Sequence, residues 1–129
     1  ACRLLAISSP NDLRAHPLWG GLVENWIVAE SIKARRCRAL GTDCLFYWRS
    51  HDGLEVDLII EQGSKVTPIE IKATTSPGPN HLDALTRFGA LAGNRADPGI
   101  LIHLGSTDAV MKECRLLPWM KVDTLEVWR

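Results

Sequence analysis

The sequence predicts an α/β fold in which helices flank a mixed central β-sheet. Two amphipathic helix patterns are separated by three short segments that are rich in aromatic and β-branched residues, as is typical of strands. A continuously apolar segment follows the second helix, as expected of a strand that is covered on both faces. The predicted order is therefore helix, strand, strand, strand, helix, strand, and the 129 residues have the size of one domain.

The first helix is expected to begin near residues 18–21 and to end before Gly41. Apolar residues recur at helical spacing in this segment, and the pattern fades in KARRCRALG. The apolar stripe consists of Trp19, Leu22, Val23, Trp26 and Ile27. Its centre, near Trp26, predicts the face that packs against the sheet.

The three strand candidates are CLFYWRS, LEVDLIIE and KVTPIEIKA. A loop, TTSPGPN, then leads to the second helix, which we expect between Asn80 and Gly93. The apolar segment GILIHLG is the fourth strand candidate. The remaining residues, 106–129, favour a short helix followed by an edge strand.

Composition and charge limit the classes of partner. Fifteen basic and fifteen acidic residues give a net charge of zero, so any nucleic-acid-binding surface has to be local. The best local candidate is Lys33, Arg35, Arg36 and Arg38, although a charge run after a helix is more typical of a solvated surface. The four cysteines show neither zinc-site nor redox spacing.

The chain shows no targeting or membrane signal. No apolar run approaches the roughly 20 residues that a membrane-spanning helix needs, and no signal peptide is visible. We therefore expect a cytoplasmic protein with no membrane partner. Because the first residue is Ala1 and not Met, we also expect the chain to be a fragment of a longer protein.

Four charged side chains interrupt the second and third strand candidates: Glu55, Asp57, Glu70 and Lys72. Side chains alternate between the two faces of a strand, so each strand is expected to have one apolar and one charged face. On the first of these strands the expected apolar face is Leu54, Val56, Leu58 and Ile60.

The turn between these strands sets their register. A two-residue turn at Gly63-Ser64 pairs positions whose numbers sum to 127. Asp57 then lies opposite Glu70, and Glu55 lies opposite Lys72. An odd-length loop would instead put the two carboxylates on opposite faces of the sheet.

Opposed carboxylates favour a cation between them, because like charges at paired positions repel. Mg²⁺ binds through one or two carboxylates, keeps several waters and bridges to substrate phosphate. Lys72 is then placed to orient or activate an attacking water, or to stabilise the charge that develops at phosphorus. The alternative is an exposed face on which Glu55 and Lys72 form an ion pair. The expected burial of GILIHL on both faces favours the metal site.

These residues resemble a known pattern, that of the PD-(D/E)XK nuclease superfamily with its restriction-endonuclease-like fold. The matching elements are GGLVENW with Glu24, GLEVD with Asp57, and IEIK with Glu70 and Lys72. More narrowly, HPLWGGLVENWIVAESIK, FYWRSHDGLEVDLII and PIEIKAT resemble the uncharacterised C-terminal domain of bacterial and archaeal AAA-type ATPases. The resemblance covers about residues 4–105. It implies that residues 1–129 form a single nuclease-like domain that an ATPase domain precedes.

Carried over residue by residue, the resemblance implies that Glu24, Asp57 and Glu70 hold Mg²⁺ or Mn²⁺. Lys72 would serve the attacking water, which completes the catalytic set. Val56 stands where the superfamily's name has proline, a position that varies among relatives. The helical wheel places Glu30 closer than Glu24 to the apolar stripe, so Glu30 remains the alternative to Glu24.

Two functions follow from this resemblance, and the sequence leaves the oligomeric state open. The first is a metal-dependent nuclease that hydrolyses DNA phosphodiesters. The second is a catalytically inactive module that binds nucleic acid or protein for the ATPase, since a fold does not dictate activity. Candidate contacts to a DNA backbone are Arg49, Thr74 and Thr75, although a surface ion pair is a common fate for such an arginine.

Overall fold

A computed structural model describes residues 3–125 and confirms the predicted α/β fold with a mixed sheet. The strands are β1 Leu45–Arg49, β2 Glu55–Gln62, β3 Lys65–Lys72, β4 Ile100–His103, β5 Ala109–Met111 and β6 Cys114–Pro118. They form one six-stranded sheet in the order β1-β2-β3-β4-β6-β5. Strands β3, β4 and β6 run parallel to one another, whereas the β1–β2, β2–β3 and β5–β6 pairs are antiparallel.

Three α-helices accompany the sheet: α1 Pro10–Ala15, α2 Trp19–Cys37 and α3 Asp83–Ala92. Helix α2 begins where the sequence predicts, but its buried row is Val23, Ile27, Ser31 and Arg35, one residue every four. Trp26, the predicted centre of the stripe, is 41% exposed. Within residues 3–125 no helix has the length and hydropathy that crossing a membrane requires.

The short helix α1 was not predicted. The hydroxyl of Ser9 accepts a hydrogen bond from the backbone N–H of Asp12, and Pro10 occupies the first helical position. Both features are typical of the start of a helix, so the segment SSPND could have predicted where α1 begins. At six residues, however, α1 is too short to show an apolar period.

The sheet is buried on both faces, because successive residues of its central strands belong to two different hydrophobic clusters. Ile100 and Ile102 of β4 pack with Val23 and Ile27 of α2, whereas Leu101 packs with residues of α3. All four residues of β4 are buried, which confirms the prediction for this apolar segment. Helix α2 therefore covers one face of the sheet and α3 covers the other.

The C-terminal part differs from the sequence prediction of a short helix and then an edge strand. It forms the antiparallel pair β5–β6, and β6 lies inside the sheet between β4 and β5. Leu116 and Leu117 of β6 are buried in opposite clusters, as an interior strand requires. Of these two strands, the three-residue strand β5 lies at the edge of the sheet.

The register of the β2–β3 hairpin is as predicted. Its paired positions run from Gln62 with Lys65 to Leu58 with Ile69, each pair summing to 127. Gly63 has a φ of +61°, the sign that the first central position of a type II′ turn requires. The two turn residues therefore determine the β2–β3 register.

Replacing Gly63 with alanine is expected to lower the free energy of unfolding by about 1–2 kcal/mol, because an L-residue is strained at positive φ. No atom lies within 4 Å of an added Cβ, so the cost is one of backbone conformation alone. Chemical denaturation of both proteins measures it. Ser64→Ala, the neighbouring turn position without positive φ, serves as the control and should change stability by less than about 0.5 kcal/mol.

A β-bulge in β2 overturns the predicted apolar face of this strand. Phe46 pairs with Ile59 but Trp48 pairs with Val56, so β2 has one more residue than β1 in this interval. Val56 consequently joins Ile59 in the α3-side cluster, whereas Leu58 and Ile60 pack on the α2 side. The bulged interval contains Asp57, which places the irregularity at a candidate site residue.

Candidate functional site

The predicted acidic residues meet where β2 and β3 stop pairing. The last Cα pair between these strands is Leu58 with Ile69. Immediately beyond it, Asp57 Oδ2 accepts a hydrogen bond of 2.8 Å from the backbone N–H of Ile71. Because Ile71 lies between Glu70 and Lys72 in the chain, the Asp57 carboxylate is held beside both of them.

Glu70 is the most buried member of this group, with 5% of its surface exposed. Its Oε1 atom lies 2.5 Å from Nζ of Lys72. Its Oε2 atom is buried and has no hydrogen-bond partner among the described residues. Burial, and then repulsion from Asp57, raise the pKa of Glu70 to about 7, although Lys72 pulls it down. A buried carboxylate oxygen without a donor is costly unless a proton or a cation occupies it.

Asp57 is half-buried, and its pKa is also raised. Burial is the main cause, and the Glu55 carboxylate adds to it. The hydrogen bond from Ile71 and the charge of Lys72 act in the opposite direction. The two neighbouring carboxylates therefore both resist ionisation in the folded protein, which favours a positive charge between them.

Lys72 supplies one positive charge. Burial disfavours its charged form, but the hydrogen bond and attraction of Glu70, with the carboxylates of Asp57 and Glu24, outweigh burial and raise the lysine pKa. Lys72 is therefore protonated at neutral pH. In that state the ammonium donates hydrogen bonds and stabilises negative charge, and it has no lone pair with which to accept a proton.

Glu24 of α2 belongs to the same electrostatic group. Burial raises its pKa, and repulsion from Asp57 is the next cause, whereas Lys72 lowers the pKa. The alternative, Glu30, forms a surface ion pair with Lys33 at 2.6 Å. The structure therefore brings Glu24, rather than Glu30, towards the strand residues. We call Glu24, Asp57, Glu70 and Lys72 the carboxylate–lysine cluster.

Glu55 does not form the predicted ion pair with Lys72. Its Oε1 atom lies 3.0 Å from Nη1 of Arg49, with which it is paired across β1 and β2. The reason is that regular β2–β3 pairing ends at Leu58, so Glu55 lies beyond the ladder that would have brought it opposite Lys72. Lys72 pairs with Glu70 on its own strand instead.

The three candidate contacts to a phosphate backbone have different surroundings. Arg49 is exposed and engaged by Glu55. Thr74 is half-buried, and its hydroxyl accepts a hydrogen bond from the backbone N–H of Ser76. Thr75 is exposed, and its carbonyl oxygen would lie 2.2 Å from a Cβ at Gly105, which explains why glycine stands there.

Three residues of the basic run that is the best local candidate for a nucleic-acid surface contact other residues. Arg35 is buried and donates to the carbonyl of Gly41 at 2.7 Å. Arg38 donates to the backbone carbonyls of Ala34 and Asp123. Since Lys33 pairs with Glu30, three of the four basic residues are engaged within the described residues, whereas Arg36 is exposed.

His103 is a buried polar residue that the sequence analysis did not single out. It is 1% exposed and is the register partner of Lys72. Its Nδ1 accepts from the backbone N–H of Gly105 and its Nε2 contacts the carbonyl of Thr107 at 2.8 Å. Both ring nitrogens are thus used to hold the loop after β4. The sequence feature that could have identified His103 as a buried polar residue is its position inside the apolar run GILIHLG.

The donor set suits a divalent cation held by few protein ligands. Within residues 3–125, no three His, Cys, Asp or Glu side chains lie close enough to form a complete metal cage. Two carboxylates are nevertheless enough for Mg²⁺, which keeps most of its water shell. The unpartnered Oε2 of Glu70 and the adjacent Asp57 carboxylate meet that requirement.

A comparison with known protein families matches most of the chain. The family described as "Domain of unknown function (DUF4143)" matches residues 19–122. That interval runs from the first residue of α2 to the turn after β6 and contains the whole carboxylate–lysine cluster. Neither the search of the curated proteins nor the search of the solved structures found a match.

Proposed function

The chain belongs to the DUF4143 family, and from that premise and the geometry of the cluster we propose a metal-dependent nuclease domain that hydrolyses DNA phosphodiesters. The observation that carries this proposal is the buried Oε2 atom of Glu70, which has no hydrogen-bond donor among the described residues. It lies on a carboxylate whose pKa is raised to about 7 and whose neighbours are Asp57 and Lys72. Such perturbed groups concentrate at functional sites.

Asp57 and Glu70 would hold Mg²⁺ or Mn²⁺, and Glu24 would add negative charge from α2. When bound, the ion polarises the scissile phosphate and lowers the pKa of the attacking water. The hydrogen bond from Ile71 fixes the Asp57 carboxylate in place, so this ligand needs little reordering. Lys72, which remains protonated, would donate to the attacking water or to a phosphate oxygen as negative charge develops.

The arrangement of elements supports the proposed restriction-endonuclease-like fold. A helix with a glutamate precedes three antiparallel strands, and Asp57 and the Glu-x-Lys pair lie on neighbouring strands. We also propose that an AAA-type ATPase domain precedes this one in a longer protein. The compartment of such a DNA-processing protein would be the cytoplasm.

A second candidate is a catalytically inactive module that binds nucleic acid or protein. It is favoured by the contact between Lys72 and Glu70, because the lysine already neutralises the most buried carboxylate. The lack of a three-ligand cage among residues 3–125 points the same way. Zero net charge also removes the global attraction for DNA that many nucleases have.

Incubation with plasmid and with branched DNA distinguishes the two candidates. Cleavage in Mn²⁺ or Mg²⁺ that EDTA abolishes supports the nuclease. If neither the 129-residue chain nor the full-length protein cleaves either substrate, the nuclease proposal is overturned in favour of the binding module.

Glu24→Gln is expected to lower the rate of cleavage by about 10- to 100-fold, the usual effect of removing a group that supports metal ligands. Glu30→Gln on the same helix should leave the rate unchanged, since Glu30 pairs with Lys33 away from the cluster. Initial rates of plasmid nicking in Mn²⁺ measure both variants. Equal rates for the two variants would contradict the assignment of Glu24.

A further inference from the structure

A groove of about 880 Å³ lies on the α2 side of the sheet and has no role in the function proposed so far. Its walls come from α1, from the first half of α2 and from the segment after β3. It contains three tryptophans, Trp19, Trp26 and Trp119. We call it the tryptophan groove. Its volume is within the range of small-molecule sites, about 300–1,000 Å³.

The groove and the cluster share structural elements. Thr74 and Thr75, which line the groove, follow Lys72 in the chain after a single intervening residue. On α2, Val23 lines the groove and the next residue is Glu24. The groove and the cluster therefore share helix α2 and the end of strand β3.

The aromatic side chains provide flat apolar surfaces. Trp26 is 41% exposed, and its ring meets that of Trp119 edge to face, with centroids 5.1 Å apart. This edge-to-face contact favours the observed orientation of both rings. Exposed, oriented indole rings are the surfaces on which unpaired bases stack.

The polar groups of the groove suit a phosphate. Arg14 is the single charged residue that lines it within the described part of the chain. Arg14 is exposed and makes no ion pair with another residue in the 3–125 range. No carboxylate lines the groove among these residues, so a phosphate would meet no like charge there. Two threonine hydroxyls complete the polar set.

We propose that the tryptophan groove binds the unpaired bases of single-stranded DNA, with Trp26 as a stacking surface and Arg14 on the adjoining phosphate. The choice of this occupant rests on the proposed function, because a DNA strand is the ligand whose phosphates the cluster would receive. The substrate class is therefore DNA with a single-stranded or frayed segment rather than fully paired duplex.

Binding is tested with the full 129-residue chain, in EDTA, by the fluorescence anisotropy of a labelled oligothymidylate and of a blunt duplex. The oligothymidylate is expected to bind more tightly than the duplex and to quench tryptophan fluorescence. Trp26→Ala should weaken its binding by about 5- to 150-fold. Phe46→Ala, on β1 and similarly exposed at 46%, is the matched control and should bind like the wild type.

Arg14→Gln tests the groove without altering an aromatic contact. It should reduce the slope of log K against log salt by about 0.7, the contribution of one phosphate contact on a single strand. Equal binding by Trp26→Ala, Phe46→Ala and the wild type, or an unchanged salt slope in Arg14→Gln, overturns the proposal. The proposal is also overturned if Trp26→Ala weakens only the association with another protein domain.

The outcomes separate this inference from the proposed function. Binding that depends on Trp26, with no cleavage in Mn²⁺, supports the groove and overturns the nuclease. Metal-dependent cleavage that requires the cluster, with binding indifferent to Trp26 and Arg14, supports the nuclease and overturns the groove.

Discussion

Replacing Lys72 with methionine is expected to slow DNA cleavage by about 10²- to 10³-fold, the usual effect of removing one group that stabilises transition-state charge. Lys72 lies 2.5 Å from Glu70 and remains protonated in the field of three carboxylates. Methionine keeps the length and the apolar stem of lysine but removes the charge and the hydrogen-bond donors. The rate of plasmid nicking in Mn²⁺ under single-turnover conditions measures the loss.

The matched control is Lys65→Met at the opposite end of β3. Lys65 donates to the backbone carbonyl of Asn94 on the surface, away from the cluster, so cleavage should stay within about twofold of the wild type. Lys72→Arg retains a cation and should recover part of the activity, which separates a charge role from a purely structural one. If Lys72→Met and Lys65→Met cleave at equal rates, the catalytic role of Lys72 is wrong.

Asp57→Asn should cause a loss similar to that of Lys72→Met, since it removes the charge of a proposed metal ligand and keeps the side chain's shape. In the double variant the two losses in cleavage rate should not be additive, because removing either of two groups that act as one unit abolishes the effect of both. Additive losses would instead indicate that Asp57 and Lys72 act on separate steps.

The parts of the fold that depend on local sequence could be predicted. The Gly63-Ser64 turn sets the β2–β3 register by itself, since the positive φ of Gly63 and a two-residue loop admit few alternatives. Helix α2 was predictable because its apolar residues recur about every 3.6 residues. Strand β4 was predictable because its own residues are continuously apolar.

The features that depend on distant strands could not be predicted. The bulge at Asp57 is seen in the pairing of β2 with β1, whereas the sequence GLEVD alternates as a regular strand would. Strand β6 is interior only because β4 is its parallel partner. Its sequence, CRLLP, contains no signal for a partner located 15 residues earlier in the parallel register.

The end of the β2–β3 ladder explains why one contact predicted at the candidate site is wrong. Prediction by alternation placed Glu55 opposite Lys72, and the structure places it beside Arg49. Beyond the last β2–β3 pair, the Asp57 carboxylate accepts a hydrogen bond from the backbone N–H of Ile71. Alternation predicts which face of a strand a residue takes, whereas the contacts of its side chain depend on where the ladder ends.

Metal-free protein is expected to lose stability as the pH rises from about 5 to 8, because the fold disfavours ionisation of Glu70. Its pKa is about 7 in the folded protein against an ordinary value of 4.5, so between these values the folded state binds more protons than the unfolded state. The loss attributable to Glu70 amounts to about 3 kcal/mol. Denaturant unfolding in EDTA at several pH values measures it.

The other charged groups near Glu70 do not reverse this sign. The pKa values of Asp57 and Glu24 are raised as well, so their ionisation also lowers stability with rising pH. The pKa of Lys72 is raised from an already high 10.5, so its contribution is constant across this window. Asp108, whose pKa is lowered to about 2 by Arg115 and Lys121, adds stability that is lost only at much lower pH.

Glu70→Gln should remove most of the pH dependence and be more stable than the wild type at pH 8 by up to about 3 kcal/mol, but not at pH 5. The amide keeps the shape of the side chain and has no charge to desolvate. Glu61→Gln is the control, because Glu61 forms a surface pair with Arg95 and its loss should change stability by less than about 1 kcal/mol. A steep pH dependence that persists in Glu70→Gln would contradict the assignment.

A divalent ion links this pH dependence to the proposed site. Mg²⁺ or Mn²⁺ at about 100 times its dissociation constant should stabilise the wild type by about 2.7 kcal/mol at pH 8. The effect should fall as the pH drops below about 7, since protons and the ion compete for the same Glu70 carboxylate. In Glu70→Gln the ion should have little effect at either pH. If the metal-induced change in the free energy of unfolding is independent of pH, or persists in Glu70→Gln, the ion binds elsewhere. The unpartnered Oε2 atom of Glu70 is then protonated and does not bind the ion.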